Sequence, residues 1–408
     1  MSSPREDAWS AAMRIVSKLR AHGHRALLAG GCVRDRLLGL PPKDYDVATD
    51  AVPDQITALF PQSRHVGVKF GVILVRLYGQ DLEVATFRSD GPYTDGRRPD
   101  HIVFGNEAED ARRRDFTING LFHDPVDDKV IDYVGGRRDL EAGVIRTIGN
   151  PDARFGEDHL RLLRAVRFAA RFGFVIEPET QAAMERHAAH LAVISAERIW
   201  MELEGMLAAP TRAAAWEMIQ TTGLRGYLAP SWDVRKDEES LDSKRLAALP
   251  TATLAPEVGL AALLSGRTRE GVVRITRELR LSNQQSDAVG WLVRSLPAAL
   301  DESRLELADL KRLMAHPHWS DLLLLLRADV EARGADPEPC ARLSERASQI
   351  PPEQVSPPPL LTGDDLQSMG LKPGRRLGEI WEAVYRAQLN DAVTTRAQAE
   401  ALVKGMMA

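Results

Sequence analysis

The stretch Ala29-Gly30-Gly31-Cys32-Val33-Arg34-Asp35, followed nine residues later by Asp44-Tyr45-Asp46, decides the interpretation of this chain. Adjacent glycines let backbone N–H groups approach phosphate oxygens closely, and Arg34 adds a guanidinium that pairs with phosphate charge. Side chains two residues apart on a strand face the same way, so both aspartates are predicted to project from one face of a short strand. Two such carboxylates suit Mg²⁺, although a plain turn is the alternative for each motif taken alone.

Bulk composition excludes several classes of protein. The chain has 408 residues, of which 44% are hydrophobic and 27% charged, as is ordinary for a soluble protein. Its net charge of -5 argues against a protein coated in nucleic acid but leaves room for a local basic groove. Two cysteines make no disulfide framework, which predicts a cytoplasmic protein. Neither a signal peptide nor a membrane span is predicted.

The first part of the chain is predicted to be α+β. Hydrophobic periodicity, glycines and prolines predict helices at 8–22, 33–38, 53–60 and 112–122, and strands at 26–29, 44–49, 72–77, 82–87 and 130–133. The polar, turn-rich residues 88–110 are predicted to form a mobile loop.

From about residue 151 onward the strand signals vanish and helical patterns continue to 405. Candidate linkers are residues 229–243, which are charged, and 350–359, which are rich in proline. No internal repeat is evident. The pattern predicts a small mixed α/β head on a long helical body.

A run of arginines marks a predicted helix at 157–172. Asp158, Arg161, Arg164 and Arg167 fall three residues apart, and Arg171 follows. At 100° per residue the arginines share about a third of the helix surface. No alternating acids accompany them, so an anionic ligand is predicted to lie against this face. Asp158 accepts and Arg161 donates hydrogen bonds, so the pair is able to read the edge of a base.

Two further positions are candidates. Arg114, in the cluster Arg113-Arg114-Asp115, adds a cation for phosphate or ribose, with a charged helix terminus as the alternative. Glu83 lies on a predicted strand as a third carboxylate or as an ordinary solvent-facing glutamate, and both interpretations stay open. Together the motifs predict metal-assisted nucleotidyl transfer.

Over residues 25–205 the chain resembles the class II CCA-adding tRNA nucleotidyltransferases and the related bacterial poly(A) polymerases. Four ordered segments carry the resemblance: Gly30-Gly31-Cys32-Val33-Arg34-Asp35, Lys43-Asp44-Tyr45-Asp46-Val47, Arg113-Arg114-Asp115-Phe116-Thr117-Ile118-Asn119 and residues 157–168. The remainder of the chain matches more loosely.

The resemblance implies a fold and roles for particular residues. The expected fold is α+β, with a nucleotidyltransferase head of the DNA polymerase beta type and a mixed sheet at 1–150. A nucleotide-selecting neck at 151–230, a helical body at 231–350 and a tRNA-binding helical tail at 351–408 would follow. The implied roles are Mg²⁺ ligation by Asp44 and Asp46, triphosphate binding by Gly30, Gly31 and Arg34, nucleotide contact by Arg114, and base selection by Asp158 and Arg161 with support from Arg164 and Arg167.

The implied reaction is template-independent addition of C, A or both to the 3′ acceptor end of tRNA from CTP and ATP, with release of pyrophosphate. A poly(A) polymerase and an enzyme that adds only A or only CC share these motifs and remain open. From another class, a catalytically inactive RNA- or nucleotide-binding module is the alternative. Mg²⁺ is the expected cofactor, and no membrane or protein partner is predicted.

Overall fold

The computed structural model describes residues 4–67, 70–93, 96–232 and 239–407. Contacts divide the chain into two compact units. The first runs to Met206 and includes Ala214–Trp232, and the second comprises Leu207–Ala213 and the chain after Trp232. The finer boundaries between head, neck, body and tail stay predictions, and part of the predicted linker, 233–238, lies outside the described residues.

The first unit contains a seven-stranded mixed sheet in the order β3-β4-β5-β2-β1-β8-β9. Its strands are β1 (Ala26–Ala29), β2 (Asp46–Thr49), β3 (Ser63–Gly67), β4 (Val72–Leu77), β5 (Gln80–Thr86), β8 (Leu121–Asp124) and β9 (Lys129–Asp132). Neighbours are antiparallel except β2 and β5, which are parallel. The predicted mixed sheet is confirmed.

Two smaller sheets complete the strands of this unit. β6 (Arg88–Asp90) pairs antiparallel with β7 (Ile102–Phe104), and β10 (Val144–Ile145) pairs parallel with β11 (Val175–Ile176). The expectation that strands end at residue 151 is therefore wrong for β11. The expected mobile loop at 88–110 is wrong where β6, β7 and the next helix form, while 94–95 lie outside the described residues.

Helices alternate with the strands and then follow them along the chain. Up to residue 221 they are α1 (Pro4–Ala21), α2 (Gly31–Leu37), α3 (Pro53–Leu59), α4 (Glu107–Arg112), α5 (Gly136–Ala142), α6 (Pro151–Glu157), α7 (Arg161–Phe172), α8 (Pro178–His187), α9 (Ala196–Ala208) and α10 (Arg212–Thr221). The first of these buries Ala11, Ile15 and Leu19 at helical spacing.

The predicted helix at 112–122 is wrong. Asn106 caps α4 by accepting hydrogen bonds from two backbone N–H groups, and Glu109 completes a capping box, so this helix starts early and ends at Arg112. A 3-10 turn at Thr117–Asn119 then leads into β8.

The predicted helix at 157–172 is interrupted at its start. Helix α6 ends at Glu157, Asp158 is extended with φ -140° and ψ 105°, and α7 begins at Arg161. The Asp158 carboxylate accepts a hydrogen bond from the Leu160 N–H at 3.1 Å, an interaction by which aspartate favours helix starts over helix interiors. Asp158 therefore does not share a helical face with the arginines.

The second unit is helical over its described residues. After α10 its helices are α11 (Glu239–Ala248), α12 (Pro256–Leu264), α13 (Arg269–Glu278), α14 (Asn283–Leu300), α15 (Leu307–Met314), α16 (Trp319–Arg333), α17 (Glu338–Ser348), α18 (Pro352–Val355), α19 (Gly363–Ser368), α20 (Arg375–Leu389) and α21 (Arg396–Met407). The last three helices build their own apolar core around Leu366, Ile380 and Val403. Among the described residues no helix is long and apolar enough to cross a membrane.

Candidate functional site

A cavity of about 940 Å³ lies in the first unit. All ten residues that the sequence singled out line it: Gly30, Gly31, Arg34, Asp44, Asp46, Arg114, Asp158, Arg161, Arg164 and Arg167. They come from the end of β1, the start of α2, the start of β2, the segment after α4, and α7 with the residues before it. The fold thus brings four separate sequence motifs to one place.

Gly30 sits where β1 turns into α2, with φ +69°. A Cβ atom on this residue would lie 2.7 Å from Nη1 of Arg114. The guanidinium of Arg114 is held there because it donates to Asp110 at 2.9 Å and to the carbonyl oxygen of Asn119 at 3.3 Å. Glycine is required at position 30 both for its backbone conformation and for this close approach.

The two aspartates line the cavity, although β2 begins only at Asp46 and Asp44 precedes it. The predicted strand at 44–49 is therefore too long by two residues. The alternation of side chains holds nevertheless, because the ring of Tyr45 packs edge-on against Trp9 of α1 at 5.5 Å. The parallel pairing of Val47 with Val84 makes Asp46 and Glu83 neighbours on adjacent strands.

These carboxylates crowd one another. Burial, and then the charges of Asp44 and Glu83, raise the pKa of Asp46 to about 7, while Arg114 partly offsets the rise. Among the described residues, none of the three forms an ion pair with lysine or arginine, and no group of three or more His, Cys, Asp or Glu side chains has the geometry to hold a metal ion by itself. The site therefore has uncompensated negative charge beside the two glycines.

Arg34 is almost completely buried. Its Nε and Nη2 donate to Oδ1 of Asp35 at 2.8 and 2.6 Å, and its guanidinium lies 5.0 and 4.8 Å from the rings of Phe168 and Phe172. It also donates to the side-chain oxygen of Asn119. Arg34 is consequently a structural centre of the cavity wall, and its contact with triphosphate stays a prediction.

The arginines of α7 lie on the cavity side of an amphipathic helix. Leu162, Val166 and Ala169, on the opposite side, are fully buried. The expectation that no local acids accompany the arginines is wrong for Arg161, which pairs with Glu157 four residues earlier. Their carboxylate partners are Glu157 at 2.6 Å for Arg161, Asp115 at 2.7 Å for Arg164, Glu202 at 2.5 Å for Arg167 and Asp35 at 3.0 Å for Arg171. Three of these partners are between 35 and 136 residues away, where no local pattern reveals them.

Asp115 is the most heavily bonded of these partners. It accepts two hydrogen bonds from Arg164, one from the Asn119 amide and one from the Phe116 N–H. Burial alone would raise the pKa of this carboxyl, but the charge of Arg164 and the bond from Asn119 hold it below its usual range. Asp115 stays ionised and fixes the position of Arg164.

Asp158 and Arg161 both reach the cavity, each held by other groups. Arg198 of α9 donates to both oxygens of Asp158 at 3.2 and 3.1 Å. Arg161 donates through Nη2 to the carbonyl oxygen of Arg113 at 3.2 Å. Their joint position in the wall is compatible with reading a base, but their role stays a prediction.

Sequence reasoning assigned no role to several other residues of the wall. They include Lys43, Phe70, Arg88, Asp90, Tyr93, Asn119 and Phe168. Asn119 bridges Arg34 to Asp115. It lies at the end of the segment 113–119 that carries the family resemblance, and this position is the sequence feature that could have identified it. Asp90 accepts hydrogen bonds from Arg88 at 3.1 Å and Tyr93 at 2.7 Å within the segment that was expected to be a mobile loop.

Comparison with known proteins agrees with this geometry. Residues 26–146 match the Poly A polymerase head domain, and residues 173–235 match the domain described as a probable RNA and SrmB-binding site of polymerase A. The first match contains the sheet and the paired aspartates, and defines a nucleotidyltransferase head.

Relatives match over nearly the whole chain. The CCA-adding enzyme of Geobacillus thermodenitrificans is 36% identical over 94% of this chain and 93% of its own, and that of Lactiplantibacillus plantarum is 33% identical over 93% and 91%. The structure of the Bacillus stearothermophilus CCA-adding enzyme in complex with CTP matches with a TM-score of 0.81 and 30% identity over 100% of this chain and 98% of that one. This chain belongs to the CCA-adding enzyme family.

Arg34→Ala is expected to lower the free energy of unfolding by about 3–5 kcal/mol, because it removes a buried guanidinium from Asp35 and from between two rings. Urea denaturation of the full chain measures the change. Arg36→Ala, in the same helix but half exposed and 3.7 Å from Asp128, is the control and should change stability by less than about 1 kcal/mol. Equal effects of the two substitutions would contradict the structural role of Arg34.

Proposed function

We propose that this chain adds C and A to the 3′ end of tRNA, completing the CCA end from CTP and ATP with release of pyrophosphate. Family membership over almost the full length supports this activity, and the matched Bacillus stearothermophilus structure is a complex with CTP. The observation that carries the proposal is the single cavity in which a carboxylate pair, a glycine turn and a row of arginines meet.

Asp44 and Asp46 are proposed to hold Mg²⁺. Hard divalent cations prefer carboxylate oxygens. Burial, and then the charges of Asp44 and Glu83, raise the pKa of Asp46 to about 7, so a bound cation would stabilise its ionised form. Asp44 and Asp46 would hold the ion, while Glu83 stays open as a third ligand. The bound ion would supply positive charge that stabilises the charge developing on the attacking 3′ oxygen and on the leaving pyrophosphate.

The chain's own residues then position the nucleotide. Gly30 and Gly31 expose backbone to the phosphates, and Arg114, Arg164 and Arg167 supply guanidinium charge around them. The tRNA 3′-hydroxyl attacks the α-phosphorus, the bond to the β-phosphate oxygen breaks and pyrophosphate leaves. Because little covalent work falls to the protein, fixed charges and orientation provide most of the acceleration.

Asp158 and Arg161 are proposed to select the base. The carboxylate accepts from an exocyclic amino group, and the guanidinium donates to ring nitrogen or carbonyl oxygen. Cytosine and adenine both carry an exocyclic amine, whereas uracil does not. Arg198 and Glu157 hold the two side chains, so selection would use groups that are oriented before the nucleotide binds.

One experiment distinguishes CCA addition from poly(A) addition, from addition of only A or only CC, and from an inactive binding module. Purified chain is given tRNA lacking CCA, tRNA ending in CC, and unstructured RNA, each with CTP, ATP or both. Completion of CCA on both tRNAs supports the proposal. Long tails on unstructured RNA indicate a poly(A) polymerase, a single A or only CC indicates a specialised enzyme, and no pyrophosphate release indicates an inactive binding module.

The proposal also places the reaction in the cytoplasm. Cys32 and Cys340 are both buried free thiols, which a reducing compartment preserves.

Residues 231–350 and 351–408 are proposed to hold the acceptor RNA as body and tail.

Asp46→Asn is expected to reduce nucleotide transfer more than about a hundredfold. Substituting a residue that only hydrogen-bonds to a metal ligand typically lowers activity about 10–100-fold, and loss of a ligand itself should have a larger effect. Stability should be unchanged or higher, because crowding with Asp44 and Glu83 is relieved. Incorporation of labelled CTP into tRNA and thermal unfolding measure the two effects. Near-normal incorporation would reject the metal assignment.

Arg161→Ala is expected to reduce discrimination of CTP and ATP against UTP and GTP by about 10–100-fold, the effect of about 1–3 kcal/mol per lost base contact. Ratios of kcat/KM for the four nucleotides give the result. The control is Arg186→Ala, an exposed arginine of α8 outside the cavity wall, which should keep the original ratios. Unaltered ratios in the Arg161 variant would remove this residue from base selection.

Gly30→Ala is expected to weaken CTP binding at least about tenfold, because the new methyl group displaces the Arg114 guanidinium and strains the backbone. Gly39→Ala is the matched control, since Gly39 has the same φ of +69° with no atom within 4 Å of its Cβ position. Titration of both variants with CTP separates displacement from backbone strain. If both variants bind CTP equally, the close approach of Arg114 to Gly30 does not contribute to CTP binding.

A further inference from the structure

We propose that Arg171 is a further nucleotide-binding residue, which contacts the distal phosphates of the nucleoside triphosphate at the C-terminal end of α7. This inference rests on the nucleotide-binding part of the proposed function. It goes beyond the prediction that an anionic ligand lies against the arginine row, because it assigns to Arg171, which lines the cavity, a contact with particular phosphates.

Position along the helix is the first argument. Arg171 lies ten residues after Arg161, so the two arginines are about 15 Å apart along the axis of α7. If the base is read at the Arg161 end, the phosphates extend toward the other end of the row. There Arg171 bonds to Asp35 of α2, the helix whose first residue is Gly31.

Charge balance is the second argument. Asp35 accepts hydrogen bonds from both Arg34 and Arg171, so two guanidiniums share one carboxylate. By contrast, Arg164 and Arg167 have two carboxylates, Asp115 and Glu202. One positive charge is therefore uncompensated at the Asp35 end of the row within the described residues. An anion in the cavity is stabilised most where such charge remains.

Accessibility is the third argument. The side chain of Arg171 is 42% exposed, compared with 5% for Arg34 beside it and 9% for Arg161. Its hydrogen bond to Asp35 uses Nη2, whereas a guanidinium has five N–H donors. Of the two arginines on Asp35, Arg171 is thus the one whose donors reach a ligand, while Arg34 is confined between rings and Asp35.

The alternative is that Arg171 only closes an ion pair with Asp35. Partly exposed ion pairs contribute little to stability, so Arg171→Ala should leave the fold intact. A purely structural residue would also affect all nucleotides alike, whereas a residue at the distal phosphates would affect them according to phosphate number. This difference makes the two roles separable.

The test is a titration of the full chain with CMP, CDP and CTP at fixed Mg²⁺ and without RNA. Arg171→Ala is expected to weaken CTP binding about tenfold, the effect of one hydrogen bond between charged groups, and to leave CMP binding unchanged. Arg171→Lys, which keeps the charge but not the planar fork, should recover part of the loss. The matched control is Arg186→Ala, which removes an arginine bonded to a single carboxylate, Asp152, outside the cavity wall.

Unchanged CTP binding in Arg171→Ala, or an equal loss for CMP, CDP and CTP, would overturn the proposal. A loss that grows with phosphate number supports it, whether it first appears with CDP or with CTP. Because no RNA is present, a wrong assignment of the acceptor leaves this result unaffected. An unaltered protein that binds none of the three nucleotides would contradict the proposed function itself.

Discussion

The structure depends on ion pairs that hold many arginines around one cavity. Eleven lysines and arginines but only six aspartates line this cavity, in a chain whose net charge is -5. Guanidiniums packed this closely repel one another, and burying them without partners would cost several kcal/mol each. Carboxylates behind the wall, such as Glu157 and Glu202, offset part of that repulsion and fix the side chains in place. The cavity wall therefore carries more cationic than anionic side chains.

Acidic residues of the site fall into two groups that differ only in their neighbours. Asp115 is surrounded by donors, and the charge of Arg164 holds its pKa below the usual range despite burial. Burial, and then the charges of Asp44 and Glu83, raise the pKa of Asp46 to about 7. Donors of the protein itself satisfy Asp115, whereas no lysine or arginine among the described residues forms an ion pair with Asp46. The same type of side chain thus occupies two opposite electrostatic environments in one cavity.

Sequence alone predicted the parts that depend on short-range pattern. Strand β1 was predicted with its observed bounds, because four buried apolar residues end at two glycines. The existence of β4, β5 and α7 also followed from periodicity. The ten candidate residues were recognised from their sequence motifs, and the structure shows that all of them line one cavity.

Long-range pairing escaped prediction. The partner of Arg171 lies 136 residues away and that of Arg164 lies 49 away, so no local spacing points to either. The break at Asp158 was missed because the helical pattern continues through it, while a single side-chain hydrogen bond to the Leu160 N–H accompanies the new helix start. Strands β6 and β7 were missed because each has only three residues and lies in a stretch rich in turn residues, so neither gives a strand pattern until the two pair.

We propose that one nucleotide spans this cavity, with its base at Asp158 and Arg161 and its phosphates between the arginines and the aspartate pair. A crystal structure with a non-reactive CTP analogue and Mn²⁺ is the decisive measurement. We expect anomalous manganese signal within about 2.0–2.2 Å of carboxylate oxygens of Asp44 and Asp46, and the cytosine edge at Asp158 and Arg161. Manganese bound away from both aspartates, or a base at the Arg171 end of α7, would contradict it.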